Sequence, residues 1–417
     1  MKLMRAAQWG VILSGMLLAW GGLLGCRNPE VSSSPMFEQA RHARQPVSRS
    51  APRPLPQVER AVWVARFHYR YPDDVRTIIR NCADMGVNTV LWQVRGAGTV
   101  AYPSRLEPWL EEFGFTSPGF DPLALAVEEA HRRGLRIEAW VNILPGWRGP
   151  KPPPLRDQLW NARPEWFLQD SRGQRQPLGD FYLILNPCLP EVRQHIGAII
   201  DEIVSNYDVD GIHMDYVRYA WDTTPGAEKR YPRDERTLSI YWNETGKRPE
   251  DDSASWKHWR ANQLTRLVAD IRNIVNCRRP GATLTAAVFS DPHDAYNQFF
   301  QNGVGWLRAG MVDALMPMAY TDKLGEFEKD VEAYRQLGGR GRIIPGLGIY
   351  KHATAAPMRQ QLAYCVDCGG DWALFSYGSL WPTHEDRLLK KGPSAKEQAA
   401  RAIHRDVLGE FTGRDFQ

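Results

Sequence analysis

The feature that most constrains this chain is a rhythm. From residue 59 on, short apolar runs with strand character alternate with amphipathic runs of helical spacing. The strand-like runs are 61–67, 87–95, 135–142, the stretch opening at Asp210, 282–289, 312–320, 343–350 and 371–377. Helical patterns fall at 72–85, 121–133, 191–207, 256–277, 327–337, 358–366 and 395–408. In the run 191–207 the apolar residues Val192, Ile196, Ile199, Ile200, Ile203 and Val204 recur at helical intervals. Asp73 and Asp121, each beside a proline, are placed to start helices, and Gly86 and Gly134 to stop them. Eight strands alternating with helices predict an α/β fold, a (β/α)8 TIM-type barrel. An open doubly wound sheet is the alternative, but no glycine-rich phosphate loop follows the first strand. The joins before strands are short, whereas 143–190 and 220–255 are long, so the long loops belong to one working face.

On that face the stretch Val209-Asp210-Gly211-Ile212-His213-Met214-Asp215 stands out. Side chains alternate along a strand, so His213 and Asp215 share a side and Ile212 and Met214 the other. In a parallel barrel the first pair faces the interior, and Asp215 lies near the C-terminal mouth, where such barrels carry their chemistry. A structural ion pair with Arg95 is the plain alternative for it. The other strand ends supply Arg66, Gln93 and Arg95, Trp140 and Asn142, Arg218, Asp291, Tyr320, Tyr350 and Tyr377, with Trp381 just beyond. Aromatic rings and amides of this kind suit a sugar polymer, whose rings stack and whose hydroxyls need polar partners. His213 reads more readily as a hydrogen-bonded interior histidine than as a ligand. Glycosidic cleavage needs two carboxylic groups, about 5–5.5 Å apart for retention and about 6.5–9.5 Å for inversion. Asp215 is the first. Asp291 is the best placed second, with Asp322, Asp294, Glu107 and Glu244 as alternatives. Glu138 lies deeper and is expected to partner an arginine, although a raised pKa could make it an acid.

The N-terminus is a targeting segment. Lys2 and Arg5 precede a short apolar core, and Leu23-Leu24-Gly25-Cys26 resembles a lipobox, in which Cys26 carries the lipid. Residues 1–25 are thus expected to be a lipoprotein signal peptide. Arg27, not an aspartate, suits sorting to an outer membrane, facing the periplasm, if the cell has two membranes. Residues 26–58 are rich in Pro, Ser and Arg and are expected to form a disordered tether, with the barrel domain at 59–417. A net charge of +4 gives no nucleic-acid signal. No cofactor loop and no metal cluster is apparent. Cys365 and Cys368 have CxxC spacing without a second pair, so zinc is not expected, and a local disulfide or simple packing remain.

Several blocks then fall in one order. They are Arg60-Ala61-Val62-Trp63-Val64, Asn88-Thr89-Val90-Leu91-Trp92-Gln93-Val94-Arg95, Tyr102-Pro103-Ser104, Glu107-Pro108-Trp109, Phe120-Asp121-Pro122-Leu123, Ala139-Trp140-Val141-Asn142, Leu185-Asn186-Pro187 and Asp210 to Asp215. Together they resemble the bacterial glycosyl hydrolase-like 10 barrels. The resemblance implies a barrel distantly similar to the alpha-amylase clan, with Asp215 in the place of the nucleophile and Trp109 among the sugar contacts. It also implies a lipid-anchored glycosidase that cuts peptidoglycan strands stripped of their peptides at division sites, with cell-division or cell-wall proteins as partners. Tyr216 stands where many relatives have a second acidic residue, Glu138 where they often have histidine, and no acid glutamate ends the fifth strand. Two other readings are a hydrolase of an exported polysaccharide such as polyglucosamine, and a non-catalytic glycan-binding envelope lipoprotein.

Overall fold

The computed structural model describes residues 50–220, 230–339, 341–389 and 392–413. The expected signal peptide, Cys26 and most of the expected tether lie outside them. Eleven strands are described: β1 Arg60–Val64, β2 Thr89–Arg95, β3 Arg136–Asn142, β4 Pro145–Gly149, β5 Gly179–Ile184, β6 Gly211–Asp215, β7 Thr283–Val288, β8 Ala314–Ala319, β9 Arg342–Ile343, β10 Gly346–Leu347 and β11 Trp372–Leu374. Strands β1, β2, β3, β6, β7 and β8 pair in parallel in that order. Strand β10 then pairs with both β8 and β11, and β11 returns to β1, which closes the barrel. The seventh position, expected as one strand, is two short ones because Pro345, with no N–H to donate, falls between β9 and β10. Strands β4 and β5 form a separate antiparallel hairpin inside the long loop after β3.

Helices follow the strands where the periodicity placed them, at Pro72–Asp84, Pro122–Arg132, Pro190–Asn206, Ser253–Arg278, Leu324–Gly338, Ala355–Asp367 and Ala395–Thr412. Asp121 caps its helix through the N–H groups of Leu123 and Ala124. The outward side chains of the strands, such as Val62, Val90, Ile137, Ala139, Ile212, Met214 and Leu284, pack with the helices in one large apolar core. The inward set forms a smaller core with Ala61, Trp63, Leu91, Trp140, Ala314 and Met316. Gly211 opens β6 where a side chain has no room: a Cβ there would lie 2.2 Å from Thr283 Oγ1.

The end of the expected tether behaves differently. The Arg53 N–H donates to Asp210 Oδ1 at 2.7 Å, and its guanidinium reaches the carbonyls of Leu135 and His131. Arg136 and Arg342 in turn donate to the carbonyls of Arg53 and Pro56. Residues 50–58 therefore lie along the N-terminal face of the barrel. Their prolines and low apolar content suggest a free linker, but their arginines and carbonyls complete hydrogen bonds that the strand starts leave open. Cys365 and Cys368 are free thiols, the first buried.

Candidate active site

The mouth of the barrel holds a cavity of about 600 Å³. Asp215, the last residue of β6, lines it and is 6% exposed. The chain turns at once behind it. Tyr216 takes a φ of +53°, a conformation uncommon outside glycine, and its N–H donates to Asp215 Oδ1 at 2.6 Å. Burial pushes the Asp215 carboxyl above its usual range, while Arg218, the Tyr216 N–H and the Trp140 indole pull it back. The Trp140 indole N–H comes near without meeting hydrogen-bond geometry. The Arg218 guanidinium lies 4.3 Å from the centroid of the Tyr216 ring.

Of the other residues expected at the mouth, Arg66, Gln93, Trp140, Asn142, Arg218, Tyr320 and Tyr350 line the cavity. The remainder go elsewhere, each for a physical reason. Arg95 does not pair with Asp215. An irregularity in register between Gln93 and Arg95 sets Arg95 opposite Val141, away from the mouth. There it makes a fully buried pair with Glu107 at 2.7 Å. Burial raises the Glu107 carboxyl, but Arg95 and His195 outweigh it and hold it at about 2. Glu107 is thus a structural anion. Trp109 packs against Phe113 and the outer core.

His213 is enclosed below the cavity. Its Nε2 accepts from the Trp63 indole at 2.9 Å, so Nδ1 carries the proton and donates to Thr285 Oγ1 at 2.9 Å. Both nitrogens are occupied, and burial holds the pKa at about 3, so the ring is neutral. Tyr377 sits on a turn after β11 and bonds to Asn81, and the Trp381 indole donates to Met85 Sδ. Both belong to the helical layer, and Phe375 takes the mouth position instead. Glu244 is held by Trp259 and Arg266. Glu138 is the buried partner of Arg136, as expected, at 3.1 Å.

Asp291 follows β7 but caps the helix Pro292–Phe299, accepting the N–H groups of His293 and Asp294 on Oδ1. It is not among the residues lining the cavity, although its neighbours Phe289 and Ser290 are. Ligand atoms of Asp291, His293 and Asp294 come within 4.8 Å of one another at the surface, the one such cluster among the described residues. The cap already engages one of its carboxylate oxygens.

The hairpin β4–β5 overhangs the cavity and contributes Arg148, Asp180, Phe181 and Tyr182, which strand-end reasoning does not reach. Tyr182 packs edge-on against Tyr216 at 4.8 Å and accepts a hydrogen bond from Arg66 at 3.2 Å. Asp180 and Asp215 are the two carboxylates lining the cavity among the described residues. Four cationic side chains, Arg66, Arg148, Arg218 and Lys351, surround them.

The sequence profile of the glycosyl hydrolase-like 10 family matches residues 59–350, from the first strand past the seventh. The chain belongs to that family. The chain is similar to the glycosyl hydrolase DigH of Escherichia coli K12. The two are 29% identical over 296 residues, which covers 64% of this chain and 63% of DigH. It is also similar to the glycosyl hydrolase YngK of Bacillus subtilis, 26% identical over 259 residues, covering 57% of this chain and 46% of YngK. The chain thus spans less than two thirds of the length of these relatives. Among solved structures, the glycoside hydrolase domain of PgaB (BpsB) from Bordetella bronchiseptica superposes with a TM-score of 0.58. It has 17% identity and covers 84% of this chain and 99% of that one. The catalytic domain of the Paenibacillus polymyxa beta-amylase gives 0.57 at 9% identity, covering 84% and 98%. At these identities the likeness establishes the shared barrel. The glycosyl hydrolase-like 10 match includes every residue named at the mouth except Lys351 and Phe375.

Proposed function

We propose that this chain is a glycosidase acting on a cell-envelope polysaccharide, with peptide-stripped peptidoglycan glycan strands as its substrate. The observation that carries the reading is Asp215, a carboxylate at the C-terminal end of an inner strand, facing an aromatic cavity at the barrel mouth. Such a group is where acid–base or nucleophilic help meets a glycosidic bond. Asp180, carried over the same cavity by the hairpin, is the natural second carboxylate. Membership of the glycosyl hydrolase-like 10 family supports the reaction class.

Charge supports the substrate. Arg66 is paired with Glu112 at 2.8 Å, but Arg148, Arg218 and Lys351 still outnumber Asp180 and Asp215 around the cavity. A glycan whose lactyl groups have lost their peptides bears free carboxylates, which arginines take in bidentate fashion. A cationic polyglucosamine would meet repulsion from the same groups. The lipobox-like Leu23-Leu24-Gly25-Cys26 supports a lipid anchor at Cys26 and a place in the envelope, where division or cell-wall proteins would be its neighbours.

The test is digestion of glycan strands, intact and amidase-stripped, by the chain from Arg27 onward. Products are read by mass spectrometry beside an Asp215→Asn variant. Short sugars released from stripped strands, and lost in the variant, are the expected result. Retained binding without release would replace the reading with a non-catalytic glycan-binding protein.

A further inference from the structure

Asn142 and Trp140 stand beside Asp215, the first with a donor that nothing in the protein meets and the second with one that reaches toward Asp215 without completing a hydrogen bond. The amide of an asparagine is ordinarily ambiguous in its orientation, but here a chain of contacts fixes it. The backbone N–H of Arg66 can only donate, and it meets Gln93 Oε1 at 3.0 Å. Gln93 Nε2 therefore faces the other way and donates to Asn142 Oδ1 at 3.2 Å. That leaves Asn142 Nδ2 as the free end. It has no hydrogen-bond partner, although Asn142 is only 1% exposed. Asn142 is in register with Asp215 on the next strand, and both line the cavity. Two residues earlier on the same side of β3, Trp140 Nε1 is buried and nears Asp215, but it completes no hydrogen bond. Buried donors are rarely left open unless a ligand or water completes them.

The surroundings narrow what that ligand offers. Trp63 and Phe375, which pack with Trp140, give the cavity an apolar wall on this side. A group that suits the place has an acceptor oxygen for two donors and a small apolar end for the wall. An acyl C=O with its methyl has both. A bare hydroxyl could accept from the same two donors, but it brings no apolar end and would leave the wall facing water. We infer, resting on the glycosidase reading above, that Asn142 and Trp140 recognise an N-acyl substituent on the sugar held beside Asp215. Gln93 acts through Asn142 as a positioning residue.

The experiment is calorimetric titration of the Asp215→Asn protein, which holds sugars without turnover. Three β-1,4 tetramers are compared: N-acetylglucosamine, glucosamine and glucose. The N-acetylated tetramer is expected to bind at least about tenfold tighter than either of the others, the worth of one to two good hydrogen bonds. Adding Asn142→Ala or Trp140→Phe should bring that ratio close to one. Gln93→Glu probes the relay: it offers Asn142 only acceptors, so the amide turns and presents its oxygen to the cavity. The ratio should again collapse although Asn142 and Trp140 are untouched. Thermal unfolding of each variant separates this from a folding defect. Equal affinity for all three tetramers, or a Gln93→Glu protein that keeps the preference, overturns the inference while leaving the glycosidase reading in place. Binding of none of them overturns both.

Discussion

Strand β3 carries two polar pairs on its inward side, and they have opposite fates. At its base, Arg136 and Glu138 belong to a closed network. Arg136 donates to Glu138 Oε1 and to Thr283 Oγ1, and the hydroxyls of Thr283 and Thr285 donate to the two oxygens of Glu138 at 2.7 and 2.6 Å. At its mouth, Asn142 ends in a donor without a partner and Trp140 in one that completes no hydrogen bond, next to a carboxylate that burial pushes up. The same strand, the same alternation and the same degree of burial give structure at one end and an open site at the other. What differs is completion. A buried polar group whose partners all come from the protein holds the barrel together, and one left incomplete is held ready for something else.

The comparison predicts opposite behaviour for the two carboxylates. Asp215→Asn should lower glycan cleavage by about 10³-fold or more, as loss of a reacting group does. It should leave thermal stability at neutral pH unchanged or slightly raised, because a buried carboxylate that is hard to ionise has been removed. Glu138→Ala should do the reverse. It leaves the buried Arg136 with the more distant Glu59 in place of Glu138, takes the acceptor from the hydroxyls of Thr283 and Thr285, and should cost about 3–5 kcal/mol of stability, while the protein that remains folded cleaves at close to the normal rate. Chemical denaturation and initial rates on the same samples decide both. A Glu138 variant that is stable but inactive would erase the distinction between base and mouth.

Much of this was legible in the sequence because it rests on periodicity. Alternation alone placed His213 with Asp215 and Trp140 with Asn142, and the structure keeps both pairs on the inner side. Asp291-Pro292 repeats the pattern of Asp121-Pro122, and both aspartates cap helices. The signal for that role was therefore present, but its place after the fifth strand favoured a catalytic expectation. Arg95 was not legible, since one irregularity in register turns it from the mouth to the outer layer. Nor was the hairpin. The segment Pro145–Gly149 has two glycines and a proline, a poor strand by composition, and it is held by pairing with Gly179–Ile184 some thirty residues away in the chain. Tyr182 and Asp180 reach the cavity through that tertiary pairing.

The base of the barrel has one flaw in its completeness, and it sharpens the contrast. Glu59 faces Arg136 at 3.5 Å, yet its Oε2 has no partner. Burial lifts its pKa from 4.5 to about 7, against the pull of Arg136. Between those values the folded chain keeps a proton that the unfolded chain has lost, so stability falls as pH rises through that window. Across it the contribution is about 3 kcal/mol. His68 and His213, held at about 3 by burial, act the other way, and their contribution is lost as pH falls below the unfolded value of 6.5. Glu59→Gln isolates the first effect. The stability difference between variant and parent should grow in favour of the variant from pH 4.5 to 7 and then level off. A difference that is flat with pH would mean Glu59 ionises normally and that the base is as fully satisfied as its other members suggest.

The mouth has its own comparison, between the carboxylate the sequence favoured beside Asp215 and the one the hairpin delivers. Asn caps a helix about as well as Asp does, so Asp291→Asn should leave the helix Pro292–Phe299 and its stability within a few tenths of a kcal/mol. If the cap is all that Asp291 does, cleavage should also be unchanged. Asp180→Asn keeps the shape of the hairpin tip and removes its charge. As the second group of a carboxylate pair it should lower the rate by about 10²-fold, in the range of a lost general acid or base, with little effect on stability because the side chain is exposed. Rates for the two variants, measured on the same stripped strands, assign the role. If the loss fell on Asp291 instead, the helix cap would have to open during reaction to release the carboxylate toward Ser290 and the cavity, and the hairpin would be a binding arm only. That outcome would also move the working pair from the β3–β6 side of the mouth to the β6–β7 side, where Arg218 lies near the Phe289 ring.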